Sequence, residues 1–158
     1  MENIGIVTRP KTIYILILLF LAISVIFSFW GGYSILVLVQ IPGWHGPGSN
    51  FFIPLLFFGY LTSTIVWFSF AAVFVIFAYG SLRGDSWIWS TGLIITTIFL
   101  IVLGIMMGSL MVNSILFLDV FSVAGLVTTI LAFISDLGIV YYLTRPATKI
   151  YFESIVKK

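Results

Sequence analysis

IYILILLFLAISVIFSFWGG, residues 13–32, runs for a full helix span with Tyr14 as its only ionisable side chain. A helix rises 1.5 Å per residue, so ~20 apolar residues are what a bilayer core of ~30 Å demands. Between Lys11 and Asp85 the only other ionisable groups besides tyrosines are His45 and Arg83. The apolar runs on either side of residues 41–50 therefore each exceed a bilayer thickness. With 61% hydrophobic and 8% charged residues and a mean hydropathy of +1.25, the chain could not cover a water-facing surface. The class this implies is a polytopic membrane protein.

Four spans follow, at about 12–40, 51–80, 87–112 and 117–143. In the first, residues 33–40 either extend the helix past Gly31 and Gly32 or lie at the interface; extension is the expectation. IPGWHGPGSN, residues 41–50, reads as the outer loop from its Pro and Gly content. Pro54 is tolerated in the first turn of the second span. SLRGDSW forms the next turn, and NSIL, residues 113–116, is expected to form the one after it. Residues 144–158 make a tail, expected to be a short interfacial helix with Tyr151, Phe152, Ile155 and Val156 toward lipid. The fold class is thus all-α, a single membrane domain built as a bundle of four transmembrane helices, with short connections making the second and third spans, and the third and fourth, antiparallel neighbours.

Charge sets the expected orientation. Arg9, Lys11, Arg83, Arg145, Lys149, Lys157 and Lys158 all fall on one side of a four-span arrangement, which predicts a cell-membrane protein with both termini cytoplasmic. The net charge of +2 sits at span ends and forms no stripe, so nucleic acid is not an expected partner. A cleavable signal peptide is not expected, because the first apolar run is too long and no small-residue site follows it.

Asp136 is the one carboxylate inside a span, and charge there is expensive unless answered. On a helix, Ser122, Gly125, Thr129, Ala132 and Asp136 form one stripe of small and polar side chains, which turns Asp136 toward protein. Its distance from Thr144 places it roughly 12 Å inside the core boundary. No Lys or Arg lies within a span; Thr96 and Thr97 are at similar depth and could donate hydrogen bonds, and Arg83 could snorkel part of the way. Without an ion-pair partner the acid is expected to be largely protonated. Three roles are open to it: packing glue between helices, a proton or ion path, and a contact with a partner subunit. The intramembrane polar site expected from sequence is Asp136 with Thr129, Ser122 and Thr97.

Helix packing is expected at Ser24, Ser28 and Gly32 in the first span, at the GxxxG of Gly104 and Gly108 in the third, and at Gly125 and Ala132 in the fourth. Trp44, Trp87, Trp89, Tyr141 and Tyr142 fit an aromatic belt, and Asp119 fits a helix N-terminus. The absence of Cys excludes disulfides, thiolate sites and iron–sulfur clusters, and a single His45 excludes a bis-histidine haem. No metal or cofactor is expected. No serine has a base in reach, and neither a P-loop nor a dinucleotide fingerprint is present, so the chain is not expected to be an enzyme. A faint internal echo links GYLTSTIVWF at Gly59 with GLVTTILAFI at Gly125; Tyr79 precedes Arg83 by four residues as Tyr141 precedes Arg145.

AYGSLRGDSWIWSTGLI, residues 78–94, and VYYLTRPATKIYF, residues 140–152, resemble motifs of small, uncharacterised four-span integral membrane proteins of archaea and bacteria. In that family a Tyr-Gly pair, a basic turn and a Trp-x-Trp open the third span, and YYLTRP closes the fourth. The resemblance covers the second half of the chain. It implies the four-span fold and a buried position, often Asn in the family, where this chain has Asp136; Asp85 departs from the more basic turn usual there. No activity is established for the family. The function expected is a structural or accessory subunit or a self-associating bundle. Its expected partners are the lipid bilayer and either copies of itself or a larger membrane complex. The alternative is a small transporter or channel with Asp136 as a titrating site.

Overall fold

The computed structural model describes residues 10–40, 52–117 and 120–156, and side chains within 10–39, 58–112 and 123–154. These residues form five helices: α1 Lys11–Gln40, α2 Phe52–Arg83, α3 Trp87–Phe117, α4 Val120–Leu143 and α5 Pro146–Val156. There are no strands among them. The first four are each long and apolar enough to cross a membrane. α1 continues unbroken through Gly31 and Gly32. The turn expected at residues 113–116 is helical instead: NSIL holds no Pro or Gly, and Asn and Ser alone are weak helix breakers. The outer loop 41–50 and Asp119, with Trp44 and His45, lie outside the described residues, as do Arg9, Lys157 and Lys158.

The helices form an up-down-up-down square. α1 pairs with α2, α4 with α1, and α3 with α4. Close contacts give the register. Ser24 bonds Ala71 and Gly31 meets Phe68 across α1 and α2, whereas Leu19 reaches Gly138 and Trp30 reaches Gly125 across α1 and α4. Leu143 meets Gly92 and Phe133 meets Gly104 across α4 and α3. Numbers rise in one helix as they fall in its neighbour, so each pair is antiparallel.

The fourth side of the square is different. α2 and α3 are joined by a turn of only three residues, 84–86, yet their backbones approach little because large rings stand between them. Phe70 and Phe99 lie 4.6 Å apart edge to face, Phe74 and Phe99 5.3 Å, and Phe77 and Trp87 5.9 Å. Phe20 and Phe27 of α1 join the same cluster, with Phe27 within 5.5 Å of both Trp67 and Phe99. Edge-to-face and tilted rings at these distances each add ~0.5–1.5 kcal/mol beyond area burial. A cleft of about 230 Å³ lined by Phe70, Val73, Ile95, Ile98 and Phe99 remains in this seam.

The turn itself is tightly specified. Gly84 has φ 79°, and the amides of Gly84 and Asp85 both donate to the carbonyl of Gly80, at 2.8 and 3.0 Å. This is a left-handed C-cap, which favours Gly because a side chain there clashes with its own backbone. Gly80 is bare for another reason: a Cβ would stand 2.5 Å from Ile88 Cδ1.

The tail corrects an expectation. Pro146 opens α5 at the position where its missing N–H costs nothing, and the helix folds back against α1, α3 and α4. Tyr151 and Phe152 do not face lipid; both are buried in the same core as Ile13, Leu16, Ile88 and Leu143. Ile150 is exposed instead. Ile155 and Val156 lie outside the described side chains.

Candidate functional site

Asp136 is fully buried. It projects from the face of α4 that also buries Gly125, Thr129, Ala132, Ile139 and Leu143, spaced by three and four residues as one helical stripe requires. The contacts Leu19–Gly138 and Gly104–Phe133 bracket it along the helix, which sets the carboxyl at the depth of the phenylalanine cluster. Ser122, the outer member of the expected stripe, lies outside the described side chains.

The donors expected near the carboxyl are committed elsewhere. Thr96, buried, donates to the carbonyl of Gly92 at 2.7 Å, and Thr129 donates to Gly125 at 2.8 Å. Thr97 is exposed and gives its hydroxyl to Leu93 at 2.7 Å, so it does not join Asp136; Thr96 takes the inward position. The reason is local: a hydroxyl on a helix meets the carbonyl four residues back before it meets a neighbour. Arg83 lies over the ring of Tyr79, 5.9 Å from its centroid, and stays at the helix end. Neither carboxyl oxygen of Asp136 has a hydrogen-bond partner among the described residues. An ion left so would carry the full cost of desolvation.

The packing residues divide sharply. Ser24 donates to the Ala71 carbonyl at 3.0 Å, joining α1 to α2. Gly125 receives the Trp30 ring, with a Cβ only 3.1 Å from Cη2, and Gly104 faces Phe133 at 3.7 Å. Ala132 is buried against its neighbours. Ser28 is half-buried. Gly32 and Gly108 meet nothing within 4 Å among the described residues; Gly31 and Ser34 make the close contacts on α1. Gly31 would bring a Cβ to 2.9 Å from Phe68, and Ser34 lies 3.4 Å from Ser63 of α2.

The end of the bundle that holds the described Lys and Arg side chains carries its own devices. Trp89 donates its indole N–H to the Leu143 carbonyl at 2.9 Å, satisfying one of the four carbonyls that the end of α4 leaves open. Arg145 lies 4.6 Å over Tyr141 and 5.6 Å from Tyr142. Its hydrogen bond to the Tyr141 hydroxyl holds the guanidinium above its ordinary range. The two Tyr-Arg pairs seen in the sequence, 79 with 83 and 141 with 145, thus close α2 and α4 with the same cation–π contact. Between α3 and α5 opens a groove of about 480 Å³, lined by Ser86, Trp89, Lys149, Phe152, Glu153 and their neighbours.

Among the described residues no cluster of His, Cys, Asp or Glu could hold a metal ion. No family model, curated protein or solved structure matches the chain.

Proposed function

We propose that the chain is a non-enzymatic subunit of the cell membrane that associates through its helix faces, with both termini cytoplasmic. The observation that carries this reading is Gly108. It lies exposed on α3 with open space where a Cβ would be, and α3 is the least covered of the four spans. Bare glycines let helix backbones approach closely in lipid, where packing rather than hydrophobicity drives association. Ile101 and Ile105, both exposed, share that face. Copies of this chain, or a helix of a larger complex, fit against it. The basic residues at one end of the bundle support the orientation through the positive-inside bias.

The absence of Cys makes the test clean. Ile105→Cys is expected to give cross-linked dimers in bilayers, and Gly108→Leu added to it is expected to abolish them. Val25→Cys, on the exposed face of α1, is the control. Cross-linking no greater than the control contradicts self-association through this face.

One observation favours a second reading, a small transporter or channel. A fully buried carboxyl without a hydrogen-bond partner among the described residues is the kind of group that marks ion and proton paths in membranes. Neither the groove nor the seam cleft is lined by Asp136. Proton flux into liposomes that disappears in Asp136→Asn would favour it over the first.

A further inference from the structure

The groove between the start of α3 and α5 combines features that are chemically matched. Lys149 Nζ lies 3.8 Å from Glu153 Oε1, one turn along α5, with both side chains about half exposed at 51% and 61%. The same ammonium sits 5.4 Å over the ring of Trp89. That ring is held in place by its hydrogen bond to Leu143. Ser86 adds a hydroxyl to the wall, the Ser154 hydroxyl being donated to the Tyr151 carbonyl at 2.9 Å, and the buried ring of Phe152 adds an apolar surface. An anchored indole, one cation, one anion and one uncommitted hydroxyl therefore converge on one opening. It lies where apolar α3 meets the charged end of the bundle, with exposed Ile150 and Trp87 nearby.

We infer that this groove seats the headgroup of a phosphoethanolamine phospholipid. The phosphate takes Lys149 and the Ser86 hydroxyl, and the primary ammonium takes Glu153. An exposed ion pair between Lys and Glu is worth little by itself, so each partner is free to exchange the other for a ligand group of the same charge. The carboxylate of Glu153 opposes a purely anionic headgroup. A trimethylated ammonium has no N–H to give it, so a choline headgroup gains less. Below the groove, Leu93, Thr97 and Leu100 continue the Trp89 face of α3 at helical spacing. Thr97 presents its methyl there because its hydroxyl is bonded to Leu93. This face gives an acyl chain a track, which a soluble phosphoethanolamine would not use.

The test is native mass spectrometry of the full chain, released from detergent with phosphatidylethanolamine, phosphatidylcholine or phosphatidylglycerol of identical acyl chains. Helix content by circular dichroism is measured for every variant. The wild type is expected to retain phosphatidylethanolamine about fivefold better than the other two, the scale of a single cation–π or exposed ionic contact. Glu153→Gln is expected to remove that preference while leaving helix content and phosphatidylcholine retention unchanged, and Lys149→Ala to lower retention of all three lipids with helix content unchanged. Soluble phosphoethanolamine at equal concentration is expected not to displace the lipid. Equal retention of all three lipids by the wild type, a Glu153→Gln variant that keeps the preference, a Lys149→Ala variant that retains all three as the wild type does, or displacement by the soluble headgroup would each overturn the assignment.

Discussion

The indole nitrogen of Trp89 stands 2.9 Å from the carbonyl oxygen of Leu143, tying the first turn of α3 to the last residue of α4. The bond also fixes the ring over which Lys149 lies. Trp89→Phe keeps an aromatic ring but leaves that carbonyl without its donor. It is expected to cost about 1–2 kcal/mol, read as a lower midpoint of unfolding in mixed micelles.

Phe27 touches four rings of the core, Trp67, Phe70, Phe74 and Phe99. It joins α1 to both sides of the seam between α2 and α3. Phe27→Ala is expected to cost ~3–5 kcal/mol, the range for emptying a buried aromatic site. Phe29, its exposed neighbour two residues on, is expected to tolerate Ala within about 0.5 kcal/mol.

The number of helices and their apolar character were legible from run lengths alone, since 13–32 and its counterparts admit no other reading. Which face of each helix turns inward was not. In lipid both the packed and the exposed faces are apolar, so the polar-outside rule that orients soluble helices is absent. Thr96 and Thr97 are adjacent and alike in sequence, as are Gly31 and Gly32; only packing against α4 and Phe68 separates them. The stripe through Asp136 was legible because it is polar and thus stands out against its background. The docking of Tyr151 and Phe152 was hidden for the opposite reason: an amphipathic tail has the same pattern whether it covers lipid or protein.

Gly125 and Gly108 make a contrast on this point. A side chain at 125 meets the Trp30 ring, whereas one at 108 meets open space. Gly125→Leu is expected to lose ~1–3 kcal/mol of monomer stability through overpacking. Gly108→Leu is expected to leave the monomer's unfolding unchanged. Stability measured in dilute micelles, where association is suppressed, distinguishes the two.

Replacing an orphaned buried polar group by an apolar one of similar shape relieves its desolvation. Asp136→Val is therefore expected to raise stability by about 1 kcal/mol, whereas Asp136→Lys, too long and differently charged, is expected to prevent stable insertion or packing. Unfolding titrations of the two variants beside the wild type measure the first effect, and yield of folded protein the second.

The most direct measurement is infrared difference spectroscopy of the Asp136 carboxyl in the bilayer-embedded protein, with Asp136→Asn to identify its band. For a dry, uncharged group inside a closed subunit, the band stays in the protonated-acid region across the pH range of stability and exchanges slowly in deuterated water. A band that disappears and returns with bulk pH near neutrality, and shifts at once on deuteration, would place water at the centre of the bundle. That result would contradict the account of the chain as a closed, non-conducting subunit.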